Sequence, residues 1–403
     1  VVRRDVKLTP GERFDGTEMK NSQRRLDGTG YFTKVNFSLT DITDDDRYTD
    51  LNVDVTEDKA GAFNFGAGFS SEEGLGGFGE LHLNNFDISN PWKFRGGGQD
   101  FRLKANLGTK HSSYVLSWTD PEFLGYPLSF GVDLFDDSFD VTGGQDYTQN
   151  DAGGQLRFGK MLSEYNSVRM TLRGETINNK NFPFVLNPTL RRQEGSSTTY
   201  STSWTFERNH LDNFRDPTNG GKHDFTLTVA GLGDNEFVKF EHDSSWFRPL
   251  DGGKKWIISW RTREGYALPY GGDGDLRFEH RFYAGGTTTV RGYKNRDIGP
   301  KERENIWFGK RFNTGGELRY VSNLELEWKT SDLVRLYAFF DAGGVWGEPS
   351  DFDIADIRTS VGLGFGFNVP KLGPVRIDYG YRLNPDSTQG NGGKLHLTSG
   401  LRF

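Results

Sequence analysis

Large apolar or aromatic residues alternate with charged or small ones through Val375-Arg-Ile-Asp-Tyr-Gly-Tyr-Arg382 and again through Lys394-Leu-His-Leu-Thr-Ser-Gly-Leu-Arg-Phe403, where the chain ends on an aromatic. Successive side chains of a strand point to opposite faces. One face therefore carries Val375, Ile377, Tyr379 and Tyr381, and the other carries Arg376, Asp378 and Arg382. A single strand of this kind fits an ordinary half-solvated sheet. Repeated strand after strand, the pattern predicts the wall of a transmembrane β-barrel, with lipid on one side and a wet lumen on the other.

Composition agrees, although a hydropathy scan would miss it. The chain is rich in Phe (33), Tyr (15), Trp (9) and Gly (53), yet only 34% of its residues are hydrophobic, so aromatic surface is plentiful and aliphatic core is scarce. It has no apolar run of about 18 residues that would make a membrane-spanning helix. A barrel needs none, because each strand gives only alternate residues to lipid and closure satisfies the backbone. The absence of Cys fits an exported protein as well as a cytosolic one. A net charge of -7 speaks against a nucleic-acid partner. The start at Val1 rather than Met reads as a mature or truncated product.

Two regions separate along the chain. Residues 1–57 hold a helix candidate at about Thr17 to Leu26, followed by alternating segments at Tyr31 to Leu39 and Leu51 to Val55, which together read as a small α/β module. From 58 to 403, strand-like segments begin near Phe63, Gly76, Phe101, Ser113, Leu128, Gly153, Val168, Thr199, His223, Phe237, Trp256, Leu318, Val334, Ile357, Val375 and Lys394. These sixteen segments predict an all-β barrel of about sixteen antiparallel strands. Gly362, Gly364 and Gly366 read as relief of crowding in a curved wall.

One connection, about 268–316, is far longer than the rest and is dense in aromatics and glycines, including Phe282-Tyr-Ala-Gly-Gly286 and Val290-Arg-Gly-Tyr293. Long connections in compact folds are usually functional or disordered, and this one holds too many aromatics and glycines at fixed places to read as a disordered tail. A lone Arg291 reads first as a solvated loop charge, whereas an Arg folded into a lumen must find carboxylates or suffer desolvation. Strand parity turns two candidates inward, Glu325 with Arg319, Asn323 and Glu327, and Asp341 with Tyr337, Phe339 and Gly343.

With these residues in view, the chain resembles the BamA family of outer-membrane protein insertases. Val290, Arg291, Gly292 and Tyr293, between Phe282-Tyr-Ala-Gly-Gly286 and Ile298-Gly-Pro300, resemble that family's sixth-loop signature. Phe339-Phe-Asp-Ala-Gly343 is similar to its FxDxG element, Leu324-Glu-Leu326 to its acidic site, and Asp216-Pro-Thr-Asn-Gly220 to a periplasmic turn. The N-terminal module resembles the last polypeptide-transport-associated (POTRA) domain, lacking its usual first strand, which implies that the chain begins inside that domain.

The resemblance implies residence in the bacterial outer membrane with the POTRA side in the periplasm. It also implies partners: unfolded outer-membrane proteins, outer-membrane lipids, accessory lipoproteins and periplasmic chaperones. The seam between first and last strands would hold Phe63, Phe65, Gly66 and Phe69 against Leu397, Gly400 and Phe403, and would open to template an incoming strand. A TamA-like or two-partner-secretion transporter shares the POTRA domain and the VRG loop and stays open as a reading. A passive porin has no use for a POTRA domain. The seven His residues lack metal-ligand spacing and no Ser/His pair stands out, so neither a metal, a cofactor nor an enzymatic reaction is expected.

Overall fold

The computed structural model describes residues 2–28, 31–41, 49–57, 61–70, 74–141, 147–182, 187–214, 216–271, 274–303, 311–331, 333–369 and 373–399. Gly400 and Phe403 lie outside them.

The N-terminal module comprises α1 (Val2–Asp5), α2 (Gly16–Gly28), β1 (Phe32–Asp41) and β2 (Thr49–Glu57). Asp15 starts α2 by accepting the Thr17 and Glu18 amides at 2.7 and 3.3 Å, satisfying donors that a helix terminus leaves unpaired. The helix rests on the two-stranded antiparallel sheet through Leu26, which is buried, and through Gln23 Nε2, which donates to Val35 O at 3.2 Å. The short α1 carries no signal that sequence periodicity would reveal.

The barrel strands are β3 (Gly61–Ser70), β4 (Gly74–Phe86), β5 (Gln99–Gly108), β6 (His111–Asp120), β7 (Ser129–Val141), β8 (Tyr147–Met161), β9 (Asn166–Lys180) and β10 (Gly195–Asn209). They continue as β11 (Gly220–Gly233), β12 (Phe237–Pro249) and β13 (Trp256–Pro269). A hairpin of β14 (Lys301–Arg303) and β15 (Arg311–Asn313) sits inside the long connection, too short to register as alternation. The wall resumes with β16 (Leu318–Lys329), β17 (Val334–Trp346), β18 (Arg358–Val369), β19 (Gly373–Arg382) and β20 (Gly393–Ser399). Sixteen antiparallel strands thus form the wall, each beside its neighbours in sequence, with β20 returning to β3.

Among the described residues that return rests on one pair. β3 meets β4 through ten register pairs and β19 meets β20 through seven, whereas Thr398 opposite Ser70 is the single described pair between β20 and β3. The outer face is a band of exposed apolar side chains running round the wall, including Phe65, Leu103, Trp204, Phe240, Trp260, Leu324, Leu363 and Tyr379. Such a band is far larger than the isolated patches that proteins expose to water, and it suits lipid. No helix among the described residues is long and apolar enough to cross a membrane.

Candidate functional site

The long connection enters the lumen and fastens to two opposite stretches of wall. On one side, Ser197 Oγ of β10 donates to Glu279 Oε1 at 3.1 Å, and the Phe278 amide donates to Gln193 Oε1 at 3.0 Å. On the other, it presses Val290, Arg291, Gly292 and Tyr293 against β16 to β20, where all four are buried.

Arg291 is 6% exposed and Asp341 is fully buried. Arg291 Nε and Nη2 donate to Asp341 Oδ2 and Oδ1, each at 2.8 Å, and the Arg291 backbone N–H donates to Oδ2 at 3.0 Å. This forked pairing matches a planar guanidinium to a planar carboxylate. The remaining terminal nitrogen, Nη1, donates to Glu325 Oε2 at 2.8 Å. Asn323 Nδ2 gives Asp341 a further bond at 2.8 Å.

A second guanidinium completes the cluster. Arg376 of β19 donates to Glu325 at 3.0 and 2.6 Å and to Asp378 at 2.9 and 2.8 Å. Each arginine also lies over an aromatic face, Arg291 at 3.5 Å from the Phe339 ring centre and Arg376 at 3.8 Å from that of Tyr337. Such stacking suits arginine in a site with little water. Glu325 therefore joins the loop to β19, and Asp341 joins it to β17.

Glycines make the room. A Cβ at Gly362 would lie 2.2 Å from Phe339 Cζ, one at Gly364 would lie 2.1 Å from Asp378 Oδ1, and one at Gly366 would lie 2.9 Å from Tyr337 Cε2. The inward face of β18 is thus bare so that the neighbouring rings and Asp378 can lie across it. Crowding is relieved, as expected, but by side chains of this one site. Gly343 plays the same part for Val290, whose Cγ2 would be 2.8 Å from an added Cβ. In Phe339-Phe-Asp-Ala-Gly343, the first residue stacks, the third pairs and the fifth leaves space. Val290 and Tyr293 pack with Ala284, Ile298, Val321 and Val345.

Sequence parity turned Arg376 and Asp378 toward the lumen without joining them to Arg291. Gly380 and His396 carried no signal at all. His396 of β20 is buried and its Nε2 accepts the Gly292 amide at 2.9 Å. Among the proposed seam residues, Phe63, Phe65 and Phe69 are exposed on the outer face, while Gly66 and Leu397 are half-buried.

Two aspartates in connections outside the wall strands are held by cations. Asp216, in the turn after β10, takes bonds from Lys329 Nζ at 2.8 Å and from Arg335 at 2.8 and 3.0 Å. Burial opposes its charge, but those bonds outweigh it and hold the carboxyl below the usual carboxylate range. Asp386, between β19 and β20, accepts from Lys301 Nζ of β14 at 3.0 Å. There too burial acts upward, and the bonds from Thr388 and Lys301 win, so the carboxyl is lowered. No group of three or more potential metal ligands occurs among the described residues.

The Omp85 superfamily domain matches residues 93–403. The chain belongs to the Omp85 superfamily. The POTRA model, described as a surface antigen variable number repeat, matches residues 1–58 ahead of the Omp85 barrel. The outer membrane protein assembly factor BamA of Nitratidesulfovibrio vulgaris is 29% identical, covering 98% of this chain and 48% of that protein. BamA of Neisseria meningitidis is 27% identical, covering 86% of this chain and 44% of its own length. The chain thus spans about half the length of these curated relatives. Among solved structures, BamA from Haemophilus ducreyi lacking POTRA domains 1-3 shares the fold at a TM-score of 0.80 and 22% identity, covering 98% of this chain and 80% of that one. CdiB from Acinetobacter baumannii shares it at 0.61 and 14%, covering 98% and 70%. The Omp85 match, the relatives and the apolar outer band place this chain in the bacterial outer membrane.

Proposed function

We propose that this chain is the membrane-embedded part of an outer-membrane protein assembly factor, which inserts unfolded β-barrel clients through a lateral seam between β3 and β20. The observation that carries the reading is the return of the wall, where β20 meets β3 and Thr398 opposite Ser70 is the one pair among the described residues, residues 400–403 lying outside them. Terminal strands that part expose unpaired backbone, and unpaired backbone templates an incoming strand. Phe63, Phe65, Gly66 and Phe69 would line one lip, and Leu397, Gly400 and Phe403 the other.

In this reading residues 1–57 form the last POTRA domain on the periplasmic side, and 58–403 form the barrel. The 268–316 connection is then the extracellular sixth loop, whose Val290-Arg-Gly-Tyr293 segment, bound to Glu325 and Asp341, braces the wall against which the seam works. Tyr31 Oη donates to Gly98 O at 3.0 Å and Glu57 pairs with Arg95 at 2.8 Å, so the module meets the connection between β4 and β5, at the end opposite the long loop. Clients would arrive there from periplasmic chaperones, with accessory lipoproteins on the POTRA side and outer-membrane lipids around the seam. No chemical step is assigned to the protein. The lumen filled by the long connection also disfavours a passive porin, and the relatives named BamA favour assembly over two-partner secretion.

Ser70→Cys with Thr398→Cys tests the seam directly, since the chain has no native thiol. In lipid vesicles, the oxidised full-length protein should lose client insertion and regain it on reduction. Undiminished insertion by the fully oxidised form would overturn seam opening.

A further inference from the structure

The last strand is held on three sides. Its β19 side is a ladder of seven pairs, its β3 side has one pair among the described residues, and a third attachment reaches it from inside the lumen. That attachment is His396, which faces inward opposite Asp378 and is 1% exposed. Its Nε2 accepts the Gly292 N–H at 2.9 Å. A ring nitrogen that accepts carries no proton, so the neutral imidazole holds its hydrogen on Nδ1. Nδ1 is buried without a partner among the described residues. An unsatisfied donor disfavours burial, and the contact at Nε2 works against that cost.

The Gly292 amide is a fixed post. The preceding Arg291 is clamped to Asp341 by both backbone and side chain, and Gly292 sits against the Gly380 backbone, where an added Cβ would be 2.8 Å from the carbonyl oxygen. The same loop also reaches the β19–β20 connection, where Lys301 meets Asp386 at 3.0 Å and Gln389 Nε2 donates to Asp297 O at 2.7 Å.

We propose that His396 is a positioning residue that latches the last strand to the lumenal loop, and that parting of its imidazole from the Gly292 amide frees β20 to swing away from β3. The proposal rests on the lateral-seam reading and names what holds that seam shut at rest. A side-chain latch suits the task because it can break while the β19–β20 backbone ladder stays whole and acts as the hinge.

The test uses the full-length protein in lipid with the Ser70→Cys and Thr398→Cys pair and no client. His396→Gln retains an acceptor oxygen near the position of Nε2, and His396→Leu retains bulk without one. His396→Leu should form the seam disulfide about fivefold to tenfold more slowly than the parent, as loss of one hydrogen bond allows, and His396→Gln should restore most of the rate. Equal rates in all three would overturn the latch. Equal slowing in both variants would also overturn it, by assigning His396 to packing alone. Imidazole nitrogen NMR of the unsubstituted protein needs no variant to fold: an unprotonated Nε2 is expected, and a protonated one sinks the proposal. None of these readouts depends on insertion, so the latch and the seam reading can fail separately.

Discussion

Gly292 and Gly380 meet backbone to backbone, each occupying the space where the other's side chain would be. A Cβ on Gly380 would lie 2.5 Å from the Gly292 nitrogen, and Gly292 itself has a φ of 91°, in the left-handed region that disfavours other residues. This contact sets how deeply the loop seats on β19. At that depth Arg291 reaches Asp341 and Glu325, and the Gly292 amide reaches His396 on β20.

Gly380→Ala is therefore expected to lift the loop off the wall even though its own backbone is unstrained. Overpacking of this kind costs about 1–3 kcal/mol. Heat-modifiable gel mobility should show a lower unfolding temperature, and Gly292→Ala should be worse because it adds backbone strain.

Arg291→Ala leaves Asp341 buried and unpaired, a loss of about 3–5 kcal/mol. Arg291→Glu should be more severe, through repulsion with Asp341 and Glu325. Exchanging the charges, Arg291→Asp with Asp341→Arg, should recover little. Asp341 also accepts the Arg291 backbone amide and Asn323, which an arginine there could not do. Unfolding midpoints of the four forms decide the point, and full recovery would show the pair to be isolated from its surroundings.

Gly362→Ala should act on the loop without touching it. Its Cβ would meet Phe339 Cζ and Tyr379 O, both at 2.2 Å. Displacing the Phe339 ring removes the face on which Arg291 stacks. Protease cleavage within 268–316 should then accelerate in the folded barrel, while an outward change such as Leu363→Ala should leave cleavage unaltered.

The turn held by Asp216 should weaken in acid. Its carboxyl is lowered from the ordinary 3.8, so its contribution is present above the unfolded pKa and is lost as pH falls through the folded one. Stability of the parent relative to Asp216→Asn should hold from neutral pH down to about pH 4 and be lost as the pH falls further. Parallel pH curves for the two proteins would remove Asp216 from the account.

The sixteen barrel strands were legible in the sequence because lipid and lumen impose a period of two on every strand, and Phe63, Leu103, Leu324 and Tyr379 all obey it. The inward direction of Glu325, Asp341, Arg376 and Asp378 followed from the same parity. Which of them would meet did not, because parity assigns a face and not a partner. Arg291 lies outside any strand, so its place depends on how the long connection folds back. His396 in the last strand and Gly380 between two tyrosines carry no mark of a partner in the sequence. Barrel curvature brings β16 to β20 around one loop, and side chains far apart in sequence, from Arg291 to His396, become a single buried network only through that closure.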